Sequence, residues 1–303
     1  MGGGHHHHHP EQGDRQVLWA VVVNLVLTAA QMIGGLLSGS LALLADAVHN
    51  LSDALALGIA FAARRIARLP SNHRMTFGYV RAELVAALIN YTTLIVIGLT
   101  LVYQAFWRFF EPSPINGWMV VIIAGLALVV DLVTAALTWR LSRESINIRA
   151  AFLHNVADAL GSIGVILAGT VIIVWQWNLI DPLITLAIAG YILWHALSEI
   201  GQVIRMLMLG TPDDVDLTEL VLEVERLEGV EGLHHVHVWN LHEHQKSLEG
   251  HLVVADANWD RAETIKQSVR ACLRERFDIG HTTLELEAQT SPCHDGGLSL
   301  GST

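Results

Sequence analysis

One spacing occurs twice in the chain. His49-Asn50-Leu51-Ser52-Asp53 and His154-Asn155-Val156-Ala157-Asp158 each set an imidazole four residues before a carboxylate. On a helix such positions share a face, about 5–6 Å apart at Cβ. Each copy therefore aims one His and one Asp in the same direction. Two such helices facing each other supply two nitrogen and two oxygen donors, a set that suits tetrahedral Zn²⁺. A lone HxxxD is a weak signal. Here both copies lie inside long apolar stretches, where ionisable groups are costly and mark a pathway or a site. The pattern reads as a membrane site for a divalent transition metal.

The donor set also limits the chemistry. A zinc hydrolase keeps one coordination position open for water and so uses three protein ligands. The chain has no HExxH pair. Four closing ligands favour carrying a metal over using it. Mixed N/O ligation admits Zn²⁺ and also Co²⁺, Cd²⁺ or Ni²⁺. Two ionised Asp and two neutral His carry a charge of about −2, which one Zn²⁺ or two protons would cancel. Metal and protons thus compete for one site, which predicts metal/proton antiport, with His49, His154 and Asp46 as the proton-coupling candidates. Asp46 lies three residues before His49, and the sequence leaves three roles for it. It can relay protons, orient His49, or serve as a helix-start acid near the outer interface. The competing function is a membrane metal sensor with the same site and no net flux.

These residues must be held by spans. The chain has 303 residues, 52% of them hydrophobic, with a mean hydropathy of +0.44. Six stretches, near 16–37, 41–64, 82–106, 116–138, 150–174 and 182–207, are long enough to cross a bilayer. The polar content of the second, third and fifth predicts that part of each faces protein, and Asn24, Asn90 and Asp131 are expected to face the bundle. Gly34, Gly35, Gly39, Gly161 and Gly164 permit close helix packing. Arginines fix the orientation. Arg15, Arg64, Arg65, Arg68, Arg74, Arg140, Arg143, Arg149 and Arg205 all fall on one side, which places both termini in the cytoplasm. Trp107, Trp118, Trp175 and Trp177 fall at the opposite ends. The first apolar run is as long as a span, so no cleavable signal peptide is expected.

Residues 1–210 carry 11 acids and 11 arginines, whereas residues 211–303 carry 18 acids and 7 bases. The net charge of −11 therefore belongs to the tail, which argues against a nucleic-acid partner. Four regions are expected: a His-rich N-terminus over 1–14, a membrane domain over 15–210, a soluble domain over 211–290 and a loose tail over 291–303. His5–His9 fits either a metal-collecting tract or an affinity tag. Cys272 and Cys293 give no disulfide framework and fit a reducing compartment. In the soluble domain, periodicity predicts a helix over Val215–Leu227 and strands over Leu233–Leu241 and Leu248–Val254. A second helix over Trp259–Phe277 and a last strand over Thr282–Glu287 complete an αββαβ unit with its helices on one face of the sheet.

With these residues in view, the chain resembles the cation diffusion facilitators, in particular their zinc-type bacterial members. Four pieces carry the likeness: Ser40–Asp46 leading into His49-x-x-x-Asp53; Thr76-Phe77-Gly78-Tyr79 with Arg81 and Glu83; Ala151–His154-x-x-x-Asp158 followed by Leu160-Gly161-Ser162; and His235-x-His237-x-Trp239. The resemblance spans about residues 16–290. It implies a homodimeric six-helix exporter in the bacterial inner membrane, proton-coupled alternating access, and a cytoplasmic metallochaperone-like domain. It implies a transport site at His49, Asp53, His154 and Asp158, with Zn²⁺ as cargo and as a regulatory ligand. It also implies a regulatory metal site at His235, His251, Glu285 and Glu287, with His234, His237, His242 and His244 nearby. Two departures stand out. The loop Ala67–Met75 offers only His73, so no second metal site is expected there, and Asp131 occupies a position where an amide is expected.

Overall fold

The computed structural model describes the backbone of residues 10–139, 146–242 and 245–290, and the side chains of 23–136, 139, 149, 152–241 and 245–290. His5–His9, Arg15, Arg140, Arg143, His242, His244 and Cys293 lie outside the described side chains. Six helices come first: α1 (Pro10–Ser38), α2 (Leu41–Ala67), α3 (Ala82–Phe110), α4 (Gly117–Trp139), α5 (Ile146–Trp175) and α6 (Ile180–Leu207). Among the described residues, α2 to α6 contain five stretches long and apolar enough to cross a membrane, and α1 adds the shorter apolar run Val23–Ser38. Helices are the natural solution here, since a bilayer offers backbone N–H and C=O groups no water. Trp107, Trp118, Trp175 and Trp177 are all exposed.

The chain divides into two compact units. One holds the chain up to Phe61 together with Ile89–Glu199; the other holds Ala62–Leu88 and the chain from Ile200 onward. The first unit packs through small side chains. Ala42, Ala45, Ala47, Ala105, Ala124, Ala127, Ala168, Ala189 and Ala196 are fully buried, which lets helix axes approach closely. Gly117 and Gly169 form a tight point between α4 and α5. A Cβ on Gly117 would lie 2.8 Å from the Gly169 carbonyl oxygen, and one on Gly169 would lie 2.8 Å from Val121.

Part of each of α2, α3 and α5 faces protein: about 39% of the apolar stretch is buried in α2 and in α5 and 22% in α3, where Leu84, Ala86, Leu94, Leu101 and Ala105 are buried. The hydroxyls of Thr93 and Thr100 donate to carbonyls one turn back, at Ile89 and Val96. Asn24 is exposed, as are Val23, Leu25 and Val26. Asn90 is half-buried, and Asp131 is buried.

The start of α2 is clamped. Its first amides have no carbonyl of their own helix to bond. Asp181, the second residue of α6 and fully buried, meets them. Its Oδ2 accepts from the Leu41 N–H at 2.7 Å, and its Oδ1 accepts from the Ala42 N–H at 3.3 Å and the Ser40 hydroxyl at 2.5 Å. Ser40 Oγ accepts from the Leu43 N–H at 3.1 Å. The preceding turn is tied down as well: Arg108 donates to the Gly39 carbonyl at 2.8 Å, and the Asn116 N–H donates to the Ser38 carbonyl at 2.9 Å.

In the second unit, α7 (Leu217–Glu225) is capped by Asp216, which accepts from the Thr218 and Glu219 amides. Strands β1 (Val230–His242), β2 (Gln245–Val254) and β3 (Ile279–Ala288) form a sheet in that order. β1 pairs antiparallel with β2, and β2 pairs parallel with β3. A parallel pair needs a crossover, supplied by α8 (Ala262–Phe277), with residues Asp256–Arg261 in a 3₁₀ turn ahead of it. The helix predicted from Trp259 thus begins three residues later. Leu220, Val224, Leu248, Leu252, Val269 and Leu273 fill one core between helices and sheet. Each fully buried leucine contributes about 1.5–3 kcal/mol.

The clamp on α2 is testable by hydrogen exchange. Asp181→Ala strands two buried amides at a cost of about 1–3 kcal/mol, and amide exchange at Leu41–Leu43 is expected to speed up by about tenfold or more. Asp181→Asn keeps one acceptor oxygen and is expected to show a smaller rise.

Candidate metal centre

α2 and α5 bring the two HxxxD copies face to face. His49 Nε2 lies 3.6 Å from Asp53 Oδ2 on its own helix and 3.6 Å from Asp158 Oδ1 on α5. His154 Nε2 lies 3.5 Å from Asp158 Oδ2 on its own helix and 3.4 Å from Asp53 Oδ2 on α2. His49 thus sits opposite Asp158 and Asp53 opposite His154, so the two helices run antiparallel at the site. These separations exceed a hydrogen bond, about 2.7–3.2 Å. They lie near the edge of a tetrahedron of ligands around Zn²⁺, about 3.3–3.4 Å for bonds of 2.0–2.1 Å, with Asp158 facing His49 through Oδ1 and His154 through Oδ2. Asp53 Oδ2, Asp158 Oδ1 and His49 Nδ1 are buried without a hydrogen-bond partner among the described residues. Unmet acceptors converging at this spacing are the electrostatic demand that a cation answers.

The four side chains are not equally enclosed. His49 and Asp158 are 16% and 9% exposed, whereas Asp53 and His154 are 28% and 49% exposed. One donor atom each from His49, Asp53 and Asp158 falls within a 4.8 Å cluster, and His154 stands outside it. The site therefore opens along one direction, toward the C-terminal end of α2 and the N-terminal end of α5. Those ends carry Arg64, Arg65 and Arg149.

The opposite end is closed by polar side chains. Asp46 is buried, which removes the reading of it as an acid at an exposed interface. Its Oδ2 accepts from Gln31 Nε2 at 2.6 Å, and Gln31 Oε1 accepts from Asn50 Nδ2 at 3.2 Å. A direct hydrogen bond from Asp46 to His49 is absent, so Asp46 does not orient that ring by contact. Gly161 makes room for Asp46: a Cβ there would lie 3.2 Å from Asp46 Oδ1. Asp131 accepts from Ser162 Oγ at 3.2 Å, one turn beyond Asp158 on α5. The residues that reasoning from the sequence missed are Gln31 and Asp181. Gln31 carries a signal in retrospect, as an amide inside an apolar run.

A second cluster lies in the sheet of the other unit. The expected ligands were His235, His251, Glu285 and Glu287, with His235 and His237 on one face of a regular strand. β1 instead bulges between His234 and His237. Three residue steps there oppose two on β2, from His251 to Glu249, and His235 adopts φ +55°. Such a bulge adds one residue and re-aims its neighbours. As a result His234 joins His251 and Glu287 in one donor cluster. His251 Nδ1 lies 2.6 Å from Glu287 Oε1, and His234 Nε2 lies 3.3 Å from Glu287 Oε2. His235 stacks on His251 with ring centroids 4.9 Å apart and turns its edge to His237. Glu285 lies 3.6 Å from His251 Nε2, but its side chain is 70% exposed, against 6% for Glu287. His73 is exposed in its loop.

Comparison with known proteins follows this division. A family model described as the cation efflux transmembrane domain matches residues 17–208. A second, described as the cation efflux protein cytoplasmic domain, matches residues 212–289. The chain is 35% identical over 274 residues to a cadmium, cobalt and zinc/H(+)-K(+) antiporter of Bacillus subtilis, covering 88% of this chain and 86% of the relative. It is 36% identical over 288 residues to zinc transporter ZitB of Pectobacterium atrosepticum, covering 94% and 88%. The metal-bound C-terminal domain of the CzcD transporter from Cuprividus metallidurans aligns at 29% identity and a TM-score of 0.22, over 24% of this chain and 99% of that one.

The two carboxylates of the sheet cluster separate in a binding experiment. In full-length protein whose membrane site has been removed by Asp53→Ala with Asp158→Ala, Glu287→Gln is expected to weaken zinc binding by about tenfold or more, equivalent to about 1.4 kcal/mol. Glu285→Gln is expected to change it by much less. Titration calorimetry of both variants checks the order.

Proposed function

The chain belongs to the cation efflux family, the cation diffusion facilitators, and from that membership we propose that it exports Zn²⁺ from the cytoplasm in exchange for protons by alternating access. The family carries metal cations across membranes; it is not a family of enzymes. The convergence of His49, Asp53, His154 and Asp158, with each imidazole 3.4–3.6 Å from both carboxylates, is the observation that carries the assignment of the transport site to these four residues. Two nitrogens and two carboxylate oxygens suit Zn²⁺ and admit Cd²⁺ and Co²⁺, the three metals for which the Bacillus relative is named.

Proton exchange follows from charge balance. Releasing a dication leaves two carboxylates facing each other at membrane depth, a state that needs compensating positive charge. Protons supply it and must leave again before metal can bind. The uneven exposure of the site supports alternating access: in this conformation the Asp53–His154 pair is open and the His49–Asp158 pair is closed. By the arginine rule the open side is cytoplasmic, which puts both termini inside and makes this a loading state. Transport requires a second conformation in which the Gln31–Asp46–Asn50 end has opened.

The membrane domain extends to about residue 210 in this proposal, and residues 211–290 form a cytoplasmic domain through which two copies pair. His234, His251 and Glu287, with Glu285 and His235 alongside, are the proposed regulatory metal ligands.

Proteoliposomes loaded with a pH indicator test the mechanism. Added zinc is expected to enter with counterflow of protons, and Asp53→Ala and Asp158→Ala are each expected to cut flux by about tenfold or more as the shell loses a ligand. Metal uptake without a pH change rejects the proton coupling. Binding without uptake points to a membrane metal sensor instead.

A further inference from the structure

One polar stripe in the helical unit stands outside the four-residue site. α6 is apolar over most of its length, yet Tyr191, His195 and Glu199 follow one another at four-residue intervals. That spacing stacks them along one helix face. The stripe begins at the site, where the Tyr191 ring meets the His49 ring edge-on at a centroid distance of 6.4 Å. One turn later, His195 meets Tyr91 of α3 edge-on, also at 6.4 Å, and lies within electrostatic reach of Asp53. Glu199, a further turn on, is within electrostatic reach of the same Tyr91. The stripe therefore passes from the enclosed His49–Asp158 pair to the open Asp53–His154 pair and continues in the direction in which the site opens. His195 is exposed and Glu199 half-exposed. An imidazole and a carboxylate are costly on a span that is otherwise apolar.

We propose that His195 and Glu199 form a second, weaker divalent-cation station on α6, where an incoming ion exchanges part of its water for one nitrogen and one oxygen before passing to Asp53 and His154. The pair offers half the donor set of the four-residue site. Two protein ligands leave a zinc shell half filled with water, so the ion is held briefly and handed on. The station raises capture at low metal without taking part in the closed shell. This inference rests on the transport reading above, and its test separates the two.

Zinc uptake by proteoliposomes is measured against zinc concentration for wild type, His195→Leu, His195→Asp and Glu199→Gln. His195→Leu and Glu199→Gln are expected to raise KM by about five-fold or more with the maximal rate kept, the pattern for lost binding without lost turnover. His195→Asp restores a ligand oxygen and is expected to return KM toward wild type, which a purely structural role for the imidazole does not predict. Variant curves that superimpose on an active wild type overturn the station and leave the transport reading standing. A fall in maximal rate alone, or His195→Asp as impaired as His195→Leu, also overturns the station. An inactive wild type overturns the transport reading and the station with it.

Discussion

The structure turns on the cost of holding two carboxylates together where water is scarce. Asp53 and Asp158 converge on the same space from different helices, and each has an oxygen that is buried and unbonded among the described residues. A pair of anions in a medium of low dielectric is tolerable only with positive charge between or beside them. Two imidazoles at 3.4–3.6 Å can take up protons, and a dication can take their place. Without a metal, the site is neutral only when it has taken up two protons. A fully hydrogen-bonded pocket would bind more quietly and would have no reason to exchange one charge for another.

The rest of the helical unit serves that convergence. Converging donor atoms must be held to a few tenths of an ångström, and the means of holding them differ along α2. At one end, Asp181, Ser40, Arg108 and Asn116 fix the α1–α2 turn with hydrogen bonds contributed from α3, α6 and the α3–α4 connection. Beyond the clamp, α2 packs through small side chains, Ala42, Ala45 and Ala47 all being fully buried, which lets helix axes approach closely. Gly161 adds to this, since it brings Asp46 against α5 with no side chain between them.

Much of this was legible in the sequence, and the reasons it was or was not are physical. The HxxxD pairs were readable because a four-residue spacing on a helix fixes direction without any knowledge of the neighbour. The pairing of α2 with α5 followed only from counting ligands, and the antiparallel match of His49 with Asp158 needed the structure. The donor grouping in the sheet was not legible, because alternation assumes a regular strand, and the bulge at His234–His237 breaks it at those residues. That His234 groups with His251 and Glu287 depends on where the extra residue falls. Asn24 was misplaced for a different reason: polarity was taken as a sign of protein contact, and Asn24 is exposed. Asp181 was invisible, since a carboxylate at a helix start reads as a favourable dipole partner for its own helix, whereas this one caps another.

The unequal surroundings of the two ends of the site bear on its direction of work. Toward the open end lie Asp53, His154 and the α6 stripe, groups that a hydrated ion can reach. Toward the closed end lies a hydrogen-bonded chain, Asn50 to Gln31 to Asp46, in which the amides give both a donor and an acceptor and the carboxylate only accepts. A proton on Asp46 Oδ1 would leave the bond from Gln31 to Oδ2 in place but weaker, whereas a proton on Oδ2 would require Gln31 to turn its oxygen toward the acid and Asn50 to lose or reverse its own bond. The chain is therefore sensitive to charge at Asp46 in a way that apolar packing could not be. Asp131, paired with Ser162 one turn from Asp158, places another carboxylate on the same side. A closed end made of apolar side chains would be indifferent to what occupies the site. One made of carboxylates and amides responds to charge placed nearby, because its hydrogen bonds depend on the ionisation of its acids.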